Sequence, residues 1–240
     1  MLLAHKYYLV YNNLTNIDMG IFIDSRPSKP SPIMEYEVVK VPGGKTLYRE
    51  RGYDDIEITV DFNFISRKPA LWDKDWRKVK KWLLSKDNNK LKFGDDLEGY
   101  YKVNSIQIDT PERILRQHGK FSVTFTCEPY FYLDCDEMEI VNGQTIHNDH
   151  QVSRPIYRIT GNGELTLTIN GKEIKVNVGQ ETIIDTEKGL TYRQGVINNT
   201  TLTGNYEDLY LQEGENTFVL TPTTPNAVFH VFITPNWRCV

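Results

Sequence analysis

The chain has 240 residues, with 28 Lys/Arg against 32 Asp/Glu and 12% aromatic side chains, enough for one large β domain or two of ordinary size. The charge is uneven: residues 1–135 carry 21 basic and 19 acidic side chains, and residues 136–240 carry 7 and 13. No basic patch is present to neutralise phosphates and no apolar run approaches the ~20 residues of a membrane helix, which argues against sequence-specific nucleic-acid recognition and against membrane insertion.

The amino terminus, MLLAHKYYLVYNN, has a lysine inside its apolar run and no small-residue cleavage site, so it reads as a first strand and not as a signal peptide. In the first half, strands are expected near Tyr7–Tyr11, Met19–Ile23, Met34–Val41, Ile56–Ile65, Tyr101–Ile108 and Phe121–Cys127. The clearest is Ile56–Ile65, where Ile56, Ile58, Val60, Phe62 and Phe64 alternate with polar residues. Between strands lie two polar, turn-rich segments, Asp24–Pro32 and Val41–Gly52. The first is rich in proline and cannot pair as a central strand, so it is expected as a loop or exposed arm. Long loops on a β scaffold tend to carry contacts, and inter-subunit contacts are expected in these two.

One helix interrupts the strands. After Pro69, Trp72, Trp76, Val79 and Leu83 share one helical face. Asp73 and Asp75 fall in its first turns, and Lys78, Lys80, Lys81 and Lys86 toward its end, which suits the helix dipole. Trp72, Trp76 and Trp82 could form a stacking platform for sugars or bases, but an aromatic stripe packed over a sheet is the simpler use of the same spacing.

In Phe121–Leu133, FSVTFTCEPYFYL, one face holds Phe121, Val123, Phe125 and Cys127. Pro129 removes a ladder donor and is expected to end this strand. The stop marks a domain boundary, giving a first domain over 1–135 and a second over 136–240. In the second, Asn170-Gly171 is a favoured type I′ turn. It sets Ile169 opposite Lys172, Leu167 opposite Ile174 and Leu165 opposite Val176 in a hairpin over Glu164–Val178. Further strands are expected at Thr182–Asp185, Leu190–Arg193, Asp208–Leu211, Thr217–Thr221 and Val228–Ile233, at the spacing of a β-sandwich, with no useful helical period after residue 140.

No constellation asks for an enzyme. GGKT at Gly43–Thr46 lacks the first glycine of a phosphate-binding loop, Val39 standing in its place, and reads as a turn. His147, Asp149 and His150 offer metal-type donors within four residues but no further cluster, so they read as a surface turn. His230 shares a strand face with Val228 and Phe232 and is expected half-buried and partnered. Asp54, Asp55, Asp95, Asp96, Asp109 and Glu112 fall in polar loops or turns where no pair stands out as a glycosidase dyad. Cys127, Cys135 and Cys239 are odd in number, lack zinc-ribbon spacing and have no obvious histidine partner, which fits a reducing compartment without disulfides. The expectation is no catalytic site, no metal and no cofactor.

Several ordered segments nevertheless resemble one family. They are VPGG at Val41–Gly44, the Ile56–Ile65 strand followed by the helix ending in Trp82-Leu83, and FTCEPYFY at Phe125–Tyr132. The second half adds RPIYRITGNG at Arg154–Gly163, LTLTING at Leu165–Gly171, TIIDTEKG at Thr182–Gly189, LQEGENT at Leu211–Thr217 and ITPNWR at Ile233–Arg238. Their order and spacing make the chain similar to the distal tail proteins of long, flexible-tailed bacteriophages (siphophages), also encoded in prophages of Gram-positive bacteria. It departs from the family at Gly44-Lys45-Thr46, where an Arg-Asp-Gly-like turn is common.

The resemblance implies a mainly β fold, with an N-terminal sandwich or barrel-like ring domain bearing one α-helix and a C-terminal galectin-like (jelly-roll) sandwich. It further implies a virion structural protein of the tail tip or baseplate hub, made and assembled in the host cytoplasm. Six copies would form a ring that joins the tail-tube protein to the tail-associated fibre or lysin and to receptor-binding proteins. A nearly neutral first domain is compatible with a ring around a DNA channel. The alternative is a carbohydrate-binding adhesin acting through the second sandwich, with Tyr192 and Trp237 as the candidate stacking residues. A tail-tip glycosidase or peptidase is the third reading and has no residues to carry it.

Overall fold

The computed structural model describes residues 7–85 and 87–240; Met1–Lys6, read above as the start of the first strand, and Lys86, read as part of the basic end of the helix, lie outside the described residues. The molecule is mainly β with one α-helix, and it divides into a first compact unit ending at Tyr132 and a second running from Leu133 to Cys239.

The first unit is built on a sheet whose strands lie in the order Leu14–Thr15, Leu9–Tyr11, Lys90–Phe93, Asp96–Ile108, His118–Leu133, Ile56–Ile65 and Ile21–Ile23. Its centre is the antiparallel pair Ile56–Ile65 and His118–Leu133, in register from Ile56 opposite Cys127 to Ile65 opposite His118. Period-two alternation therefore puts Ile58 beside Phe125, Val60 beside Val123 and Phe62 beside Phe121 on one buried face. Phe62 and Phe121 stack with ring centroids 5.4 Å apart.

The helix, Trp72–Leu84, covers this face and is preceded by a 3₁₀ turn at Pro69–Leu71. Trp72, Trp76, Val79, Trp82 and Leu83 are all buried. Trp72 meets Phe64 edge-on at 4.6 Å, and Trp76 meets Phe121 at 4.7 Å. Removing side chains of this size from water contributes roughly 1.5–3 kcal/mol each, which far exceeds any propensity effect in a helix this short. The indole Nε1 of Trp82 donates to the carbonyl of Tyr11 at 2.8 Å. The neighbouring Asn12, held at a φ of 48°, donates its amide to the carbonyls of Trp82 and Ser85, both at 2.8 Å. The carbonyls left open at the helix C-terminus thus find a partner just beyond the strand Leu9–Tyr11.

Two expectations about this unit are corrected. The strand from His118 does not stop at Pro129 but continues to Leu133. Its pairing with Ile56–Ile65 has already ended at Cys127, so a residue lacking an N–H is accommodated beyond that ladder. Likewise, Val41–Gly52 is not all loop: Leu47–Tyr53 is a strand that pairs with Met34–Val39 in a separate two-stranded sheet. The segment Asp24–Pro32 is irregular, as expected, yet it is pinned. Asp24 accepts from Asn63 at 2.9 Å and from Lys120 at 3.1 Å, and Lys29 pairs with Asp95 at 3.3 Å.

The second unit is organised by one long hairpin, Ile156–Ile169 against Lys172–Asp185. Asn170 and Gly171 both have positive φ, 52° and 79°, as a type I′ turn requires. The register is the one the turn dictates, with Ile169 opposite Lys172, Leu167 opposite Ile174 and Leu165 opposite Val176. The hairpin is longer than expected and takes in Thr182–Asp185. Gly161 and Gly163 look like breakers in sequence but pair with Gln180 and Val178 and let the ladder bend without ending. Around it lie Met138–Ile140, His230–Thr234, Leu190–Arg193 and Val196–Ile197, while Gly214–Pro222 pairs with both Ile156–Ile169 and Thr145–Asn148. Its core includes Tyr157, Leu165, Leu167, Ile174, Val176 and Phe218.

Asp208–Leu211, expected as a strand, is instead a 3₁₀ turn at Tyr206–Leu209 followed by a single bridge from Leu211 to Ser153. Leu209 and Leu211 are both buried, so their spacing mimics strand alternation. The Asp208 N–H closes back on the Asn205 carbonyl at 3.1 Å, and the turn is locked by the Tyr157 hydroxyl, which donates to the Leu209 carbonyl at 2.7 Å.

Candidate functional site

The residues singled out for chemistry are dispersed. The ammonium of Lys45 and the two glycines of GGKT belong to the turn joining Met34–Val39 to Leu47–Tyr53, and a strand, not a helix, follows. His147 Nε2 lies 3.1 Å from Asp149, with both side chains exposed, while the ring of His150 faces Trp237 at 6.4 Å. Among the described residues no group of three His, Cys, Asp or Glu side chains could hold a metal ion. His230 is partnered, its Nδ1 2.7 Å from Glu139, but it is exposed and not half-buried, because its strand face looks outward beside Phe232.

The tryptophans of the helix are buried against the sheet, with their ring neighbours supplied by Phe64 and Phe121, so no stacking platform is presented there. Tyr192 is half-buried in Leu190–Arg193, between Ile183 and Ile197 on the neighbouring strands. Trp237 is half-buried against the core of the second unit. Cys127 is wholly buried, and burial, reinforced by Asp55 and Glu128, pushes its thiol up to about 12, which leaves it inert as a nucleophile at neutral pH. In the first unit the Tyr7 hydroxyl is raised by burial and by Asp95, to which it donates at 3.1 Å. Asp95 is partly desolvated, which opposes ionisation, but Lys29 and the Tyr7 hydroxyl hold it below the usual carboxylate range.

What the structure presents is a surface. The hairpin Met34–Val39/Leu47–Tyr53 pairs with no third strand among the described residues. A bulge between Glu35 and Tyr36, opposite Gly52 at a φ of 125°, shifts its register, so that Tyr36 faces Glu50, Glu37 faces Arg49 and Val38 faces Tyr48. Tyr36 and Tyr48 meet edge to face at 6.3 Å. They remain 52% and 68% exposed, and Val38 and Leu47 are 50% and 57% exposed. At the base the Asp54 N–H donates to Ile33 at 3.0 Å, and Tyr53 packs edge-on to Tyr130 at 6.1 Å. A two-stranded ribbon is marginal alone in water, and one that exposes aromatics on a bare edge fits a surface that another polypeptide covers. The sequence signal for its second strand is weak because Leu47–Tyr53 interleaves charge and glycine; the visible cue was a proline-glycine turn flanked by alternating residues.

The helix-backed sheet followed by a second β unit is a fold shared with solved chains of phage hub and baseplate assemblies. The particular solved structure it matches well is the Dit protein of phage SPP1, described as a paradigm of the hub adsorption apparatus in phages infecting Gram-positive bacteria. That match has a TM-score of 0.68 at 15% identity and covers 98% of this chain and 99% of that one. A chain of the phage P2 baseplate in its activated conformation matches with a TM-score of 0.55 at 10% identity in the calcium form, covering 98% of both chains. In the strontium form the TM-score is 0.54, again at 10% identity, covering 95% of this chain and 97% of that one. No protein-family model and no curated protein sequence matches the chain.

Proposed function

We propose that this protein is a structural component of a phage tail tip, in which a first domain over about residues 1–135 closes a six-membered ring and a galectin-like second domain over 136–240 carries peripheral contacts. The ring joins the tail tube to the tail-associated fibre or lysin protein and to receptor-binding proteins, in the virion and after assembly in the host cytoplasm. The observation that carries this reading is the superposition on the SPP1 hub protein over almost the whole of both chains. The role is architectural and not catalytic. The exposed Met34–Tyr53 hairpin supports it, since a head-to-tail ring needs an unsatisfied surface on each subunit that its neighbour completes.

Multi-angle light scattering and negative-stain microscopy, on the protein alone and mixed with its tail-tube and fibre neighbours, test the proposal. Six-fold rings are expected at high protein concentration or on addition of a neighbour, and Tyr36→Ser with Tyr48→Ser should abolish them. A strictly monomeric particle under every condition overturns the ring. Binding of purified cell-wall polysaccharide that disappears in Tyr192→Ala or Trp237→Ala, in the absence of rings, would replace the hub with the adhesin reading.

A further inference from the structure

A groove of about 650 Å³ lies in the first unit along one flank of the helix. Its apolar part is made by Leu14, Ile17 and Ile65, which stay 41%, 42% and 51% exposed. Its other wall is cationic. Lys74, Lys78 and Lys81 fall at i, i+4 and i+7 on one helical face, all of them exposed, and Arg67 adds a fourth cation.

Among the described residues, none of the four cations lies within salt-bridge distance of a carboxylate. The carboxylates that line the same groove are engaged locally instead. Asp75 accepts from Ser66 at 2.9 Å, Asp18 from the backbone and hydroxyl of Thr15 at 3.0 and 2.7 Å, and Asp87 from Ser85 at 2.5 Å. Like charges at i, i+3 and i+4 repel by a few tenths of a kcal/mol (about 0.2–0.5 per pair).

We propose that this groove docks an acidic segment with interspersed apolar side chains from a different protein. Carboxylates would answer the lysine row, and the apolar side chains would cover Leu14, Ile17 and Ile65. Nucleic acid fits less well, because the aromatic rings at the groove, Phe64 and Trp82, are buried and offer no face for a base to stack on. A second copy of this chain is also a poor match: its exposed apolar hairpin, residues 33–53, carries Lys40, Lys45, Arg49 and Arg51 against Glu35, Glu37 and Glu50, so it brings cations to a cationic wall. The inference does not rest on the ring, and either stands if the other fails.

Fluorescence anisotropy on the full chain tests it, with a labelled synthetic peptide alternating Glu and Leu as the probe. A Glu/Ser peptide of equal charge and a single-stranded DNA oligonucleotide are the comparisons. The Glu/Leu peptide should bind about tenfold or more tighter than either. Lys74→Glu with Lys78→Glu should weaken it by about tenfold or more, Ile17→Ser should weaken it without changing its salt dependence, and Lys175→Glu in the second unit should leave it unchanged. Near-UV circular dichroism confirms that each variant is folded, and Lys74→Ala with Lys78→Ala replaces a reversal variant that is not. Equal binding of the Glu/Ser peptide or of DNA, insensitivity to the lysine variants, or self-association that the same lysine variants abolish would overturn the proposal.

Discussion

Replacing Asn12 by alanine should loosen the whole first unit, although the side chain is small and only half-buried. Its amide donates to the Trp82 and Ser85 carbonyls at 2.8 Å each, and its carbonyl accepts from the Asn88 N–H at 3.0 Å. Three such bonds are worth about 0.5–1.5 kcal/mol each, and two of them close carbonyls at the helix end, where the Ser85 carbonyl also accepts from the Tyr11 hydroxyl at 3.4 Å. Alanine must also adopt the φ of 48° that asparagine tolerates, at about 1 kcal/mol more. The expected loss is about 3–4 kcal/mol, or about 10 °C in the melting temperature of the unit. Asn12→Gly loses the same three bonds but not the backbone freedom, so it should fall between wild type and alanine. Differential scanning calorimetry and urea unfolding of the three proteins measure this directly. If alanine and glycine behave alike, or if alanine lies within about 1 kcal/mol of wild type, Asn12 is not the clasp described here.

Gly119→Ala should destabilise the first unit by about 1–3 kcal/mol in urea unfolding, because a Cβ there would stand 2.5 Å from Trp72 Cη2 and 2.7 Å from the Glu112 carbonyl; an unchanged midpoint would mean that Trp72 yields freely. Native protein should leave Cys127 unmodified by a thiol reagent at pH 8 and release it only on unfolding, and rapid native-state labelling at Cys127 would contradict its burial. Glu137 is held below its ordinary 4.5 by the Arg158 guanidinium, which donates at 2.9 Å to one carboxylate oxygen and at 2.5 Å to the other. A depressed folded value gives stability that is present above about pH 4.5 and lost as pH falls through the folded value. The advantage of wild type over Glu137→Gln in thermal melts should accordingly be a fraction of a kcal/mol (about 0.2–1) at pH 7 and vanish once pH falls below the folded value, and a difference independent of pH would refute the charge pairing.

Local rules wrote much of this fold into the sequence. Ile56–Ile65 was visible because its alternation is unbroken, and the Asn170-Gly171 hairpin because turn chemistry and apolar pattern demand the same register. The helix was visible because Trp72, Trp76, Val79 and Leu83 keep a single face. The misreadings came where a local signal was overruled at a distance. Pro129 has the chemistry of a stop, but whether that matters depends on where the partner strand ends. Leu209 and Leu211 alternate like a strand, yet a hydroxyl from Tyr157, far back in the chain, holds the turn. The candidate surfaces were hardest to see. Leu14, Ile17 and Ile65 share no periodicity with the lysines of the helix and become neighbours only when the sheet brings its edges to the helix.

The hairpin of the second unit also bears on the order in which the molecule acquires structure. Its two 14-residue strands meet across a two-residue turn, so each new pair closes almost no additional loop and the ladder can zip from the turn outward. The first unit has only short hairpins of this kind, such as Phe93 against Asp96, and its central pairings are distant in sequence, since Leu9 must find Phe93 and Ile65 must find His118. The half of the chain synthesised last is therefore expected to fold fast once it is complete. The half synthesised first waits with unpaired strand edges, and stopped-flow refolding should show the two as separate phases.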